Sequence, residues 1–527
     1  MDQIYSLSVY ETPTHFYIIG SDLTESRFRS LKIDRITQNE FIVGEPNHDY
    51  SKADIGELLA TVSSSSIVTP TEKWGRKRNS TTTTGGLLRT LDKAFGLIGA
   101  DVSMIYLPST SASLSPEEQR YAKLFQTVDF TTNFYFSYTY QLSRTLQENC
   151  LAERGLEWNK NIYGFNMSSE KKFVWNDFLL EPFRKSQVNK KWYLELVHGY
   201  IGHQLVELPC AKFDLILLAR RSAEFAGTRF LKRGTNYNGS VANDVETEQI
   251  VWEMSSSKHF HLGKFSSFVQ RRGSVPLFWS QDSINRGAPM VVGKPPIVIN
   301  LLEPNALTTA THFKDLRRKY GHPIIVLNLV KRMEQKNNEN LLHDIFYKTV
   351  QYLNEFRHPG HCIDYISFDV SRCNKTGRVL QQLDRLGQRV SFPLLKFCCN
   401  LSTLNSIPNG SEDIISRFEP EMSSDNRMIL QHGIVRSNCV DCLDRTNVAQ
   451  FGIGKAALCW QLFSMGLLES PSPQFLNNEF CRSFEELYDE HGDTLQDGIN
   501  LFLGTYRLLV KKHFCRRRIF ILNYFYE

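Results

Sequence analysis

The chain has 527 residues, of which 41% are apolar and 22% charged, the balance of a folded globular protein rather than a disordered one. That length exceeds one typical hydrophobic core and predicts two or three domains. The net charge of +5 is too small to argue for a nucleic-acid partner, and no finger, basic helix or aromatic platform organises the arginines, so that class of function is set aside.

Met1 to Tyr10 lacks a basic segment followed by an apolar core, and no apolar run reaches the roughly 18 residues of a membrane span. The 11 cysteines are therefore expected to be reduced and unpaired. Asn-x-Ser/Thr triplets such as those at Asn166 and Asn238 then read as chance matches.

In chain order, residues 4 to 60 read as short strands and turns, with Phe16-Tyr-Ile-Ile19 and Leu31-Lys-Ile-Asp34 strand-like. The Ser/Thr-rich stretch 61–90 buries too little apolar surface to fold alone and predicts a flexible linker. Its basic pentamer Trp74-Gly-Arg-Lys-Arg78 is a solvated segment or a contact with acidic lipid. Phe134-Tyr-Phe-Ser-Tyr-Thr-Tyr140, Phe213-Asp-Leu-Ile-Leu-Leu218 and Pro323-Ile-Ile-Val-Leu-Asn-Leu329 predict strands, the last two buried. Helical periodicity covers Glu339 to Phe356 and Val448 to Leu468, while Asn405 to Asn426 reads as a surface loop. The expected fold class is α/β. A strand-rich subdomain occupies 1–133, a mixed-sheet catalytic region 134–475, and a helical segment with a basic-aromatic tail 476–527.

Chemistry concentrates in Arg436-Ser-Asn-Cys-Val-Asp-Cys-Leu-Asp-Arg-Thr-Asn447. Cys439 precedes Arg445 by six residues, with Thr446 next and a helix expected at once. A loop of that length can curl its backbone N–H groups, through Asn438, Val440, Cys442, Leu443 and Thr446, around one tetrahedral anion above a thiol. Arg445 offers a planar fork that fits two phosphate oxygens. Arg445, Arg436 and the positive end of the helix favour the thiolate. The pattern predicts phosphoryl transfer in two steps: Cys439 attacks phosphorus, then water releases phosphate from the phosphocysteine. Asp441 is the candidate general acid, and Asp444 an alternative acid or an orienter of Arg445. No glycine lies between Cys439 and Arg445, so Asn438, Asp441 and Asp444 are expected to hold the loop's curve.

Cys439-x-x-Cys442 also fits a dithiol redox pair or half a zinc site. Zinc needs two further ligands, and Cys398, Cys399 and His432 supply no second C-x-x-C; redox chemistry leaves Asp444-Arg-Thr446 unexplained. No metal is assigned. The mechanism requires no cofactor, and dependence on magnesium is left open.

The segment resembles the signature loop of Sac-domain phosphoinositide phosphatases. Further blocks resemble the same family: Phe134 to Tyr140, Arg220-Arg-Ser-Ala-Glu-Phe-Ala-Gly-Thr-Arg229, Val241-Ala-Asn-Asp-Val-Glu-Thr-Glu-Gln249 and Gly273-Ser-Val-Pro-Leu-Phe-Trp-Ser-Gln-Asp282. Leu31-Lys-Ile-Asp-Arg35, Phe230-Leu-Lys-Arg-Gly234 and Glu490-His-Gly-Asp-Thr-Leu495 are similar to the branch that removes the 5-phosphate of phosphatidylinositol 3,5-bisphosphate. The resemblance implies a nucleophilic Cys439 and a phosphate-clamping Arg445. It also implies a cytoplasmic enzyme, peripheral on endosomal, lysosomal or vacuolar membranes. Its implied partners are a phosphatidylinositol 3-phosphate 5-kinase and a large helical scaffold protein.

A lipid substrate calls for a basic face, and Arg229, Lys232, Arg233, Arg271 and Arg272 are the candidate headgroup or membrane contacts. Lys294 and Lys331-Arg332 are weaker additions, and the bland reading pairs such charges with Glu246 and Glu248. The tail from Lys511 to Tyr526 suits an anionic interface or marks an exposed aggregation-prone run.

Three departures from the family pattern bear on activity. Phe95-Gly-Leu-Ile-Gly-Ala100 runs straight into Asp101, where relatives carry a strand-rich segment whose loss is expected to expose ladder edges. His491-Gly-Asp-Thr-Leu495 runs into Gln496, where relatives carry helices, and the chain ends soon after Gly504. The alternative expectation is a catalytically weak or inactive adaptor in a kinase–phosphatase complex, or a product that folds too poorly for either role.

Overall fold

The computed structural model describes residues 4, 6–12, 14–22, 24–34, 42–46, 48–64, 70–75, 97–106, 133–137, 140–153, 171–207, 212–227, 232–253, 264–281, 296–333, 338–370, 385, 387, 399–400, 431–438, 440, 444–472, 478–500 and 519–525. They form two compact units interleaved in sequence: 1–143 with 174–197 and 504–527, and 144–173 with 198–503. This division does not follow the sequential boundaries expected at 133 and 475.

In the first unit, alternating apolar residues build an antiparallel meander of β1 (Ser6–Glu11), β2 (His15–Ser21) and β3 (Arg27–Asp34). Phe16 and Ile18 on β2, and Leu31 and Ile33 on β3, bury one face against Phe183 and Val188. The sequence reading missed α1 (Lys52–Ser64), which follows directly on the short strand Tyr50–Ser51. The expected linker 61–90 is not uniformly irregular. It begins with the last turn of α1 and contains β4 (Pro70–Gly75), which pairs antiparallel with β1. Trp74 and Gly75 belong to that strand, and Arg76, Lys77 and Arg78 lie outside the described residues.

The junction at Ala100 and Asp101 lies within one strand, β5 (Leu97–Tyr106). β5 pairs antiparallel with β6 (Phe134–Ser137) at one end and with Ile519–Phe525 along the rest. The aromatic tail is therefore a paired strand, and the ladder edge expected at this junction is paired over Ala100 to Tyr106. The unit also carries α2 (Asp177–Lys185), whose Leu180 and Phe183 are buried.

The second unit is built on a mixed sheet of β7 (Val197–Glu207), β8 (Lys212–Arg221), β9 (Val245–Glu253), β10 (Lys264–Gly273), β11 (Ile324–Asn328), β12 (Ile363–Ser367) and β13 (Ile434–Asn438). Strand order is β12-β11-β13-β10-β9-β8-β7. β12, β11, β13 and β10 run parallel, and β10 to β7 alternate antiparallel. Residues alternate between faces along each strand, so β11 sends Ile324 and Val326 to one core and Ile325 and Leu327 to another. Helices Leu307–Tyr320 and Glu339–Glu355 cover the first face through Phe313, Leu316, Leu342 and Phe346. Helices Asp444–Ser464 and Asn478–Asn500 cover the second through Ala449, Ile453, Leu458, Phe484 and Tyr488. The expected α/β class with mixed strands and helices holds. The junction at Leu495 and Gln496 falls inside a single continuous helix, 478–500.

Candidate active site

The four parallel strands carry their C-terminal ends to one edge of the sheet, the edge where open α/β sheets bind ligands. β13 lies between β11 and β10, with Asn438 level with Asn328 on one side and Gly273 on the other. All five residues of β13 are buried. The signature loop leaves this strand end. Cys439, Asp441, Cys442 and Leu443 lie outside the described residues, whereas Val440 is buried in the core cluster beneath the helices 307–320 and 339–355. The helix after the loop begins at Asp444, four residues before the periodicity expected from Val448, so Arg445 and Thr446 belong to its first turn. The side chain of Asp444 is outside the described residues.

Arg445 is held by the connection that follows β11. Its Nη1 donates to the Leu329 carbonyl at 3.1 Å and to Glu339 Oε2 at 3.1 Å, and its Nη2 reaches Glu339 Oε1 at 3.4 Å. The side chains of Arg445 and Glu339 are 15% and 5% exposed, so solvent screens this pair little. Glu339 Oε2 also accepts the Lys331 N–H at 3.1 Å. The Leu329 N–H donates to the Asn438 carbonyl at 2.8 Å. One residue, Leu329, thus fastens the residue before Cys439 and the arginine that closes the loop. Sequence reasoning missed Glu339 and Leu329. A carboxylate opening a helix ordinarily reads as a partner of the helix dipole, and nothing in the spacing ties it to an arginine 106 positions away.

Arg436, the other cation expected near the thiol, is 1% exposed and works as a structural clamp. It donates to the carbonyls of Gly273 at 3.1 Å and Ser274 at 2.8 Å and to Asn438 Oδ1 at 2.5 Å, joining the ends of β10 and β13. Ser437 Oγ, Asn438 Nδ2, Thr446 Oγ1 and Gln450 Nε2 are buried polar atoms with no hydrogen-bond partner among the described residues. Each such atom carries a desolvation cost that a polar ligand relieves.

Of the residues expected on a basic membrane face, Arg233, Arg271 and Arg272 are buried. Arg271 and Arg272 are each 1% exposed and lie within the unit rather than on a rim. Arg271 donates to Asp244 Oδ2 at 2.5 Å and to the Tyr320 hydroxyl at 3.0 Å, and lies 3.7 Å from Glu246. Arg220 pairs with Glu246 at 3.1 Å and Glu248 at 2.5 Å. The bland reading of these charges, pairing with Glu246 and Glu248, is the one that Arg220 follows. Arg233 is buried, donates to Gln281 Oε1 at 3.1 Å and lies over the Trp279 ring. Lys232 is half-buried over Phe225, and Arg229 and Lys294 are outside the described residues. Buried arginines cannot touch a bilayer without unfolding their surroundings, since an isolated buried charge costs several kcal/mol.

Behind the first turns of the helix 444–464, Arg272 donates to Gln450 Oε1 at 3.1 Å, and Arg221 donates to the Leu495 carbonyl. Burial, and then the charge of Arg272, pushes Arg221 down to about 9. Burial, and then Arg272 and Arg221, holds His491 well below the ordinary imidazole range. A neutral His491 has one donor and one acceptor. Asn447 Nδ2 donates to the Tyr488 carbonyl, which leaves Asn447 Oδ1 to accept from His491 Nδ1 at 3.1 Å. His491 Nε2 then accepts from the Thr247 hydroxyl at 3.2 Å. This contact ties the start of the helix 444–464 to the helix 478–500.

Residues 9–375 match the model of the SacI homology domain. The chain belongs to the SacI homology domain family. A phosphoinositide phosphatase, SAC5, of Arabidopsis thaliana is 35% identical over 93% of this chain and 65% of its own length. A phosphatidylinositol-3-phosphatase, SAC1, of the same plant is 34% identical over 92% of this chain and 58% of its own length. A polyphosphoinositide phosphatase of Schizosaccharomyces pombe is 37% identical over 76% of this chain and 44% of its own length. The chain thus spans less than two thirds of the length of these curated relatives. The family match ends before Cys439. Among the described residues, no cluster of three or more His, Cys, Asp or Glu side chains is arranged to hold a metal, and no helix is long and apolar enough to cross a membrane.

Proposed function

We propose that the chain is a cysteine-dependent phosphoinositide phosphatase that removes the 5-phosphate of phosphatidylinositol 3,5-bisphosphate. The observation that carries this reading is Arg445, anchored in the first helical turn and six residues after Cys439, at the carboxyl edge of parallel strands. A helix N-terminus and a guanidinium suit a phosphate, and both favour the thiolate over the thiol. The names of the relatives, which include a polyphosphoinositide phosphatase and a phosphatidylinositol-3-phosphatase, support the substrate class. The 5-position rests on the short sequence blocks that resemble that branch.

In the first step the Cys439 thiolate forms an S–P bond while the P–O bond to inositol breaks. The leaving alkoxide takes the proton of a carboxylic acid, with Asp441 the candidate and Asp444 the alternative. In the second step water attacks phosphorus and gives its proton to that carboxylate. The S–P bond breaks, and thiolate and inorganic phosphate are released. Arg445 and loop N–H groups stabilise the charge on the equatorial oxygens. The same resemblance supports a peripheral site of action on endosomal, lysosomal or vacuolar membranes, beside a phosphatidylinositol 3-phosphate 5-kinase and a helical scaffold.

The test is phosphate release from dioctanoyl phosphatidylinositol 3,5-bisphosphate by monodisperse protein, with the product isomer identified. Wild type is expected to yield phosphatidylinositol 3-phosphate and Cys439→Ser none. Equal release by the two proteins sinks the cysteine mechanism. Partner capture without turnover by wild type replaces it with the adaptor reading.

A further inference from the structure

The parallel strands β11 and β12 begin level, with Ile324 opposite Ile363, at the edge of the sheet away from the candidate active site. His322 and His361 each precede their strand by two positions, and they meet there with ring centroids 4.3 Å apart. The His358 ring lies 5.9 Å from that of His361. The helix 307–320 brings Arg317 to this corner in its last turn, and Arg357 follows the end of the helix 339–355.

These cations lack the partners that such groups ordinarily have. Both ring nitrogens of His322 and Nη1 of Arg357 are buried atoms with no hydrogen-bond partner among the described residues. Neither Arg317 nor Arg357 forms an ion pair among those residues, although Arg318 lies 3.5 Å from Asp315. Burial, and then Arg317, His361 and Arg357, pushes His322 down to about 4. Burial, and then the charge of Arg317, also holds the Arg357 guanidinium below its ordinary value. A cation at a helix C-terminus ordinarily offsets the dipole and caps the last carbonyls. That role accounts for Arg317. It does not account for Arg357 Nη1, which is buried and reaches no carbonyl, or for a His322 imidazole placed among guanidinium charges. Buried donors without partners carry a desolvation cost that a ligand relieves.

We propose that this corner is a binding site for a phosphate group, separate from the signature loop. The two guanidiniums match the charge of a phosphate dianion, and Arg357 Nη1 supplies a donor to it. Each of the two imidazoles adds one N–H donor from the side of the strand starts. The five residues of β11, roughly 16 Å of extended chain, separate this corner from the strand end level with Asn438. A soluble phosphate and a lipid phosphomonoester present the same chemistry to these donors. The site does not depend on the phosphatase reading.

Cys362 supplies a local probe. Its thiol is free and half-buried, its sulfur lies 3.7 Å from the His358 carbonyl, and its charge acts on Arg357. The rate at which iodoacetamide alkylates Cys362 in the folded chain, read by peptide mass spectrometry, reports occupancy. One arm adds inorganic phosphate, against chloride at equal ionic strength; the other adds phosphatidylcholine vesicles with and without phosphatidic acid. A bound dianion covers the sulfur and opposes its ionisation, so alkylation is expected to slow about threefold or more. Arg357→Met is expected to raise the concentration for half-protection about tenfold or more. His322→Phe, which keeps the ring contact and removes both nitrogens, is expected to raise it about three- to tenfold. Arg445→Met is expected to leave it unchanged. Cys459 is completely buried and stays unlabelled in any variant that keeps its fold, which confines the comparison to folded protein; Arg445→Lys replaces Arg445→Met should that control fail. Protection by inorganic phosphate, with or without protection by the vesicles, assigns a site open to soluble phosphate. Protection by the phosphatidic acid vesicles alone assigns a lipid headgroup. No protection by either probe overturns the proposal. Protection unaltered by Arg357→Met and His322→Phe overturns it as well, and so does protection abolished by the Arg445 variant, which places the anion at the signature loop.

Discussion

Glu246 is a heavily engaged carboxylate of the second unit and offers a test of how its sheet is held. It lies 3.1 Å from Arg220, 2.8 Å from Lys319 and 3.7 Å from Arg271, accepts from the Tyr320 hydroxyl, and is completely buried. Burial acts to raise its pKa, and Lys319, Arg220 and Arg271 outweigh that effect and hold the carboxyl below its ordinary range. Glu246→Gln keeps the shape and removes the charge that these three cations share. Removing one partner of a buried ion pair costs about 3–5 kcal/mol, because the remaining charge stays buried. At about 2–4 °C per kcal/mol the melting temperature falls by roughly 6–20 °C. The sign with pH follows from a depressed folded value. The carboxylate's contribution is present above the unfolded pKa of 4.5 and is lost as pH falls through the lower folded value. Between pH 7 and pH 4 the gap between wild type and Glu246→Gln should therefore narrow by about 1 kcal/mol, as the unfolded wild-type carboxyl takes up its proton. Adding Lys319→Met to Glu246→Gln removes one uncompensated cation and should recover part of the loss. Urea unfolding of the three proteins at several pH values measures all of this. A cost below about 1 kcal/mol at pH 7, or a gap that does not narrow, refutes the electrostatic account of this cluster.

Two further perturbations address how the helices are seated on the sheet. A methyl group on Gly454 would overlap the Tyr488 hydroxyl and approach Gln249 Oε1 to 2.9 Å, so Gly454→Ala should cost about 1–3 kcal/mol of stability, read as a lower urea midpoint with an unchanged slope; an unaffected midpoint would show that the helices 444–464 and 478–500 are loosely packed there. His491 is pushed well below its ordinary value by burial, Arg272 and Arg221, so below pH 6.5 the unfolded chain binds a proton that the folded chain does not. Stability should fall with pH from 6.5 to 5.5, and His491→Asn should reduce that slope by up to about 1.4 kcal/mol per pH unit; parallel slopes for the two proteins would mean that His491 is protonated in the fold.

Much of the second unit was legible because its signals are local. Pro323 to Leu329 and Phe213 to Leu218 are apolar runs each broken by one polar residue, Asn328 and Asp214, and strands covered on both faces read that way. The periodicity from Glu339 predicts the helix that ends at Glu355. What failed depended on tertiary partners. Arg271-Arg272 looks like a surface pair because adjacent arginines are usually solvated, yet the ladder sends Arg271 toward Asp244 and Arg272 toward Gln450. The compensating acids lie one strand away, at register positions that the sequence does not print: Arg220 faces Glu246, and Glu246 faces Arg271. The strand Pro70–Gly75 was hidden in a Ser/Thr-rich stretch whose composition argues against a core; its stability comes from pairing with β1.

The signature loop shows the same division between local and distant causes. Its own residues carry the proposed chemistry, because a cysteine and an arginine at that spacing can face one phosphate. They do not explain why the loop holds its shape, and without glycine the curve was expected to depend on Asn438, Asp441 and Asp444. The described contacts place much of that task elsewhere. Asn438 is gripped at its side chain by Arg436 and at its carbonyl by Leu329, and Arg445 is gripped by Leu329 and Glu339. Leu329, which takes part in both grips, directly follows β11, a parallel neighbour of β13. A loop braced this way inherits the rigidity of the sheet. Damage to β11 or to the first turn of the helix 339–355 is therefore expected to act on turnover without touching the loop itself.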